Sequence, residues 1–161
     1  MKRNWMAFCL AAALMTAGTV YAKPAPSQLV PEKHGQCYVE DNLFVKDVNG
    51  AGGGQGVLHG DFAFRREQAL KTDAIKEIGW MTLKPGSYIG SHTHKDNEDA
   101  YLIISGKGIF TDGNGHAWVV GAGDMTIARP GQTHGLANLG KEDLVFLDII
   151  AKNDSADLSK M

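Results

Sequence analysis

Cysteine is nearly missing from this sequence, with two in 161 residues. Cys9 lies in an uncharged run near the start, which leaves Cys37 with no partner for an internal disulfide. A covalently stapled fold is therefore excluded, and Cys37 reads as a small half-buried residue or as a site for an intermolecular bridge. An excess of positive charge is missing too. Sixteen basic residues stand against 18 acidic ones, for a net charge of −2, and no Lys/Arg stripe suits nucleic acid. Past residue 22 no apolar run approaches the ~18 residues of a membrane span. No long segment keeps a helical period; only 65–72 (RREQALKT) has the composition for a turn or two of helix.

What is present begins with a secretory pattern. Lys2 and Arg3 precede an uncharged, mostly Ala, Leu, Met and Phe stretch that closes on Val20-Tyr21-Ala22. A positive start, a short apolar stretch and small residues before a cut are the layout of a signal peptide. We therefore expect a signal peptide at 1–22, a leader at 23–42, a β-barrel domain at 43–152 and a polar tail at 153–161. The exported protein would be periplasmic or secreted and free of the membrane once the signal is removed. Without Lys2 and Arg3, 14 basic residues remain against 18 acidic ones.

Turn signals come often: Asn49-Gly50, Lys84-Pro85-Gly86, 112–115 (DGNG), Pro130-Gly131 and Leu139-Gly140. Between them lie short segments rich in β-branched and aromatic residues, at 56–64, 75–83, 88–94, 100–104, 108–111, 116–120, 125–128, 135–138 and 144–150. Many short strands with frequent turns predict an all-β sandwich or barrel. The stretch 50–56 (GAGGGQG) looks like a phosphate loop but lacks the strand–loop–helix context, so it reads as a mobile turn before the first barrel strand.

Residues two apart on a strand face the same side, so His92 and His94 point together with Thr93 opposite. Surface histidines often produce His-x-His, but here a second segment answers it. After Pro130-Gly131, His134 leads into another strand and supplies a third imidazole. A polar run at 95–97 turns the chain, and the acidic pair Glu98 and Asp99 follows. Nitrogen and carboxylate donors together suit one divalent transition metal: Mn, Fe, Zn, Ni, Co or Cu. His34, His59 and His116 have no such partners and read as surface histidines.

These two stretches resemble the paired motifs of the cupin superfamily. Gly86, His92, His94 and Gly106 match the first; Gly123, Gly131, His134 and Asn138 match the second. Ala128 stands where the second motif has its first proline, and Pro130 falls one place before Gly131. The resemblance implies a double-stranded β-helix, the cupin or jelly-roll barrel, with His92, His94, His134 and an acidic residue holding one metal in its mouth. The acidic position is Glu98 or Asp99. Asp99 satisfies the spacing to both His94 and Gly106, and Glu98 only the first, so strand parity favours Asp99. With Asp99 inward, Tyr101, Ile103 and Ser105 face inward as well. Tyr101 becomes a candidate catalytic proton or hydrogen-bond donor, with ordinary packing as the alternative. Tyr88 shares a face with His92 and is expected to line the cavity. The function implied is a metal-dependent dioxygenase, decarboxylase, isomerase or lyase acting on a small organic acid, sugar or phenolic compound. The alternative is a non-catalytic barrel whose metal fixes a ligand or is structural. The partner is a small molecule, and a homodimer is compatible with the reading.

Overall fold

The computed structural model describes residues 37–152. The expected signal peptide, most of the leader, His34 and the polar tail lie outside the described residues. Among the described residues, the chain is built of short strands with two single turns of 3-10 helix. No helix there is long and apolar enough to cross a membrane.

The strands are β1 (Phe44–Asn49), β2 (Val57–Phe64), β3 (Ile75–Leu83), β4 (Tyr88–Thr93), β5 (Glu98–Ser105), β6 (Lys107–Asp112), β7 (Ala117–Gly121), β8 (Met125–Ala128), β9 (Thr133–Ala137) and β10 (Leu144–Ala151). They form a large sheet in the order β1-β2-β3-β10-β5-β8 and a small one in the order β4-β9-β6-β7. The pairs are antiparallel. This is the expected double-stranded β-helix. Its core is closed by Phe62, Leu83 and Phe146 from the large sheet and Ile89, Phe110 and Leu136 from the small one.

Alternation drives the large sheet. In β10 the inward residues Leu144, Phe146, Asp148 and Ile150 are buried and the intervening ones half-buried. Motif residues set the corners. Gly106 has φ +80°, and a Cβ there would come within 2.4 Å of the Asp143 carbonyl oxygen, so only glycine fits. Asn138 is fully buried; its Nδ2 donates to the carbonyls of Leu83 (2.7 Å) and Glu142 (2.8 Å). Its Oδ1 accepts from Gly140 N at 3.0 Å, so this side chain ties three chain segments together.

Four expectations need correction. A strand, β1, precedes the glycine-rich stretch, which therefore joins two strands rather than leading into the first. The 65–72 segment forms turns, not helix: Gln68 N and Ala69 N bond to Arg65 O at 2.8 and 3.2 Å, and Gln68 Oε1 accepts from Arg65 N at 2.9 Å. Ser105 is exposed because the β5–β10 register shifts between Ile103 and Ser105. Tyr88 is 40% exposed and points away from the barrel interior. The β4–β9 register shifts between Ile89 and His92, so the alternation that includes Tyr88 does not continue through to His92.

Candidate metal centre

His92 and His134 are direct cross-strand partners on β4 and β9. His94 sits just beyond β4, held by its N–H donating to Gln132 O (3.0 Å) and its carbonyl accepting from Gly131 N (2.6 Å). Asp99 arrives from β5 of the opposite sheet and is 3% exposed. The four side chains each offer one donor atom, and these atoms lie within 4.8 Å of one another. His94 Nε2 is the hub, at 3.1 Å from His92 Nε2, 3.0 Å from His134 Nε2 and 3.2 Å from Asp99 Oδ2. Asp99 Oδ2 is 3.3 Å from His134 Nε2.

The ring tautomers follow from the far nitrogens. Nδ1 of His92 donates to Gly90 O at 2.9 Å, and Nδ1 of His94 donates to Asn97 Oδ1 at 2.9 Å. Both Nε2 atoms then present lone pairs to the same point, an unfavourable meeting unless a cation or proton lies there. The separations of 3.0–3.3 Å also match adjacent vertices of an octahedron around an ion with bonds of about 2.1 Å, where that edge is about 3.0 Å. The donor set therefore fits a divalent transition metal.

Electrostatics separate the four. Burial lowers the His92 pKa. The bond to Asp99 raises that of His94 against the effect of burial. Burial alone would raise Asp99, but the polar side chains of His134, His94 and Asp148 around it outweigh burial and hold Asp99 ionised. Asp148, inward on β10 and 5% exposed, is the residue that sequence reasoning missed. Oδ1 of Asp99 and Oδ1 of Asp148 have no hydrogen-bond partner. Two buried carboxyl groups near each other do not both ionise readily. Burial and the Asp99 charge push the Asp148 pKa well up, so Asp148 is the one held neutral. Asn97 was missed as well. A polar residue in a turn gives no sign that it will orient an imidazole.

Glu98 lies outside the cluster: its side chain is 45% exposed, with its carboxylate 3.8 Å from Arg129 Nε. Tyr101 is 4% exposed. Its ring stacks on His134 (centroids 5.0 Å, 24°) and packs on Phe146 at 4.7 Å. It stands behind the imidazole, with its hydroxyl beside Asp99, and does not line the cavity. His59 lies 2.6 Å from Asp47, and His116 lies 3.2 Å from Asp112; both histidines stand outside the four-donor cluster and are partly or largely exposed. Cys37 is exposed and free.

A cavity of about 470 Å³ opens beside His134, walled by Phe110, Asp112, Trp118, Arg129 and Gln132. The glycine-rich stretch lies on the other side of the centre. It bridges to β4 through Gln55 and Tyr88, which exchange backbone bonds of 3.0 and 2.9 Å. A Cβ on Gly52 would stand 2.9 Å from Nδ1 of His92, so this loop is a backing for the ligand strand.

The sequence pattern of the cupin domain family matches residues 79–150, which carry all four donors. The chain belongs to the cupin superfamily. This cupin is 40% identical over 70 residues to an oxalate-binding protein of Thermotoga maritima, across 44% of this chain and 57% of that protein. It is 32% identical over 83 residues to an oxalate decarboxylase of Bacillus subtilis, across 49% of this chain and 22% of that one. The matches thus span less than two thirds of either relative. Among solved structures, a predicted oxalate decarboxylase of Thermotoga maritima superposes with a TM-score of 0.65 at 27% identity, over 73% of this cupin and 99% of that chain.

Proposed function

We propose that this cupin is exported and holds one divalent metal through His92, His94, Asp99 and His134, at which it binds a small carboxylate of the oxalate class. The observation that carries the reading is the convergence of three imidazoles and one buried carboxylate on a single point. Four donors leave positions on a six-coordinate ion, and a dicarboxylate has the charge and bite to take two of them. When bound, the metal supplies Lewis-acid charge for the ligand's oxygens. The protein's part is to fix the three imidazole orientations, to keep Asp99 ionised, and to offer Arg129 at the cavity wall as the positive group for an anion. Similarity to a protein described as oxalate-binding supports the ligand class.

Turnover is the second reading, supported by the similarity to a decarboxylase. Replacing a departing CO₂ by hydrogen needs a proton donor next to the bound anion. The acid on the described cavity wall, Asp112, is instead tied to the backbone of Asn114 and His116 at 2.9 Å each. Tyr101 is shut away behind His134. Binding is therefore the reading we favour. Calorimetry with oxalate on metal-loaded protein, alongside a formate and CO₂ assay, tests both. Saturable binding that disappears on metal removal supports the proposal. No binding with any of Mn, Fe, Zn, Ni, Co or Cu sinks it, and formate release moves it to the second reading. Export is checked by mass spectrometry of protein from its own compartment: a chain still beginning at Met1 would contradict it.

A further inference from the structure

The cavity beside His134 is larger than a two-carbon dianion needs. At about 30 Å³ for each water in the liquid, 470 Å³ is the room of about 15 waters, far more than oxalate fills. The excess has a direction. β7 ends the small sheet and β8 ends the large one, and both strands line the cavity. The rings along its wall form a series that starts at the metal centre. Phe110 stands 5.8 Å from His134, and Trp118 stands 6.1 Å from Phe110, centroid to centroid. Phe110 and Trp118 are direct cross-strand partners on β6 and β7, so they share the inward face. Phe110 is 8% exposed, but Trp118 is 48% exposed because no strand of its sheet follows β7. An inward-facing tryptophan left half open in a cavity wall is a surface for a ligand to cover. Beyond it lies an adjoining hollow of about 400 Å³, which shares Phe110, Trp118 and Ile127 with the cavity and adds Val120.

The polar groups on the same wall are committed to their own turns. Oδ1 of Asp112 accepts from the N–H groups of Asn114 and His116, and its Oδ2 lies 3.2 Å from Nδ1 of His116. Oε1 of Gln132 accepts from Arg129 N at 2.8 Å. Arg129 brings a guanidinium for a carboxylate. Side chains already bonded within their own turns are poor partners for a row of hydroxyls, so the wall favours a flat apolar body over a polyhydroxylated one.

Resting on the reading of a metal-held anion of the oxalate class, we propose that the ligand is a 2-oxo carboxylate carrying an aromatic ring. Its carboxylate and adjacent carbonyl oxygen reproduce the two-oxygen bite of oxalate. The ring takes the place of one of the two oxygens that this bite leaves unused. It lies against Trp118 and Phe110 and points into the seam between β7 and β8. Trp118 is then the residue that sets the size of ligand the site prefers.

Calorimetry on the metal-loaded chain with phenylglyoxylate, pyruvate and oxalate tests this. The first two share one head and differ by a phenyl for a methyl group. Phenylglyoxylate should bind about tenfold or more tightly than pyruvate, from the apolar area its ring buries. Trp118→Ala should cut that preference to about twofold, and Trp118→Phe should keep most of it. A general distortion of the site would weaken both ligands alike and leave their ratio unchanged, so the ratio separates contact with the ring from a structural role. Oxalate binding with phenylglyoxylate no tighter than pyruvate overturns the proposal and leaves the reading of the metal site standing. A ring preference that Trp118→Ala does not reduce overturns it as well, because the ring then lies elsewhere. Failure of all three anions to bind overturns that reading and this proposal together.

Discussion

The small sheet delivers His92 and His134 through a strand pair that slips register between Ile89 and His92, whereas the large sheet delivers Asp99 from a strand that alternates regularly from Glu98 to Ile103. The two sheets also support their donors differently. Behind His92 lies backbone: Gly90 accepts its Nδ1 proton, and the loop at Gly52 packs against the ring. Behind Asp99 lies a second carboxyl group, Asp148. The imidazoles are thus placed by a local irregularity closely backed by main chain, and the carboxylate by regular pleating with a titratable neighbour. A bulge can aim a side chain that strict alternation would misdirect, at the cost of needing something to hold the bulge in place.

The largest effect should come from the small-sheet donors. His94→Ala or His134→Ala should lower metal affinity by more than the 10–100-fold typical of losing an outer partner. Metal content by elemental analysis reads this directly, and full occupancy in either variant would mean that the cluster is not the site. Next comes the backing. Gly90→Ala places a Cβ 2.4 Å from Gly52 O and 2.6 Å from Gly54 N. Overpacking against backbone should cost about 3 kcal/mol in a urea melt. A cost under 1 kcal/mol would show that the loop yields and is no true backing.

On the large sheet the effects should be smaller. Asp148→Leu removes the polar neighbour of Asp99 and should weaken metal binding about tenfold, while Asp148→Asn keeps a donor and should bind nearly as the parent does. If both variants bind alike, Asp148 does not position Asp99. Acid should also act through the hub. His94 has its pKa raised above 6.5, so protons compete for its Nε2 from above that value downward, and His92, with its pKa lowered, joins only further down. Affinity should therefore fall as pH falls, by up to about tenfold per unit for each ligand that must lose a proton to bind. Titration with a metal indicator at several pH values checks the sign. The smallest effect sharpens the contrast within one strand: Glu98→Ala should change affinity less than twofold, where Asp99→Ala should lose most of it.

The same contrast explains what could be read without coordinates. β3 and β8 have the limits that composition and turn signals suggested, because both are short β-branched or aromatic runs between clear breaks. The inward face of β5 followed from parity through Ile103 because that strand is regular there. Tyr88 was misassigned because a register slip leaves no mark in composition. β1 was overlooked because FVKDVN is mostly exposed and mixes charges with apolar residues; its pairing with β2, not its pattern, makes it a strand. Asp148 was hidden inside LVFLDII, where its position opposite Tyr101 emerges only from long-range pairing. Asn97 acts through a turn whose shape no spacing rule describes.

The meeting of Gly52, Gly54 and Gly90 has a bearing on how this protein would respond to random change. These positions contribute no side chain, yet main chain approaches main chain there so closely that a single methyl group has no room. A saturation screen scored by survival of the site would therefore flag residues with no chemistry of their own beside the histidines that bear it. Ranking positions by such a screen would not separate the atoms that hold a ligand from the empty space that lets them stand where they do.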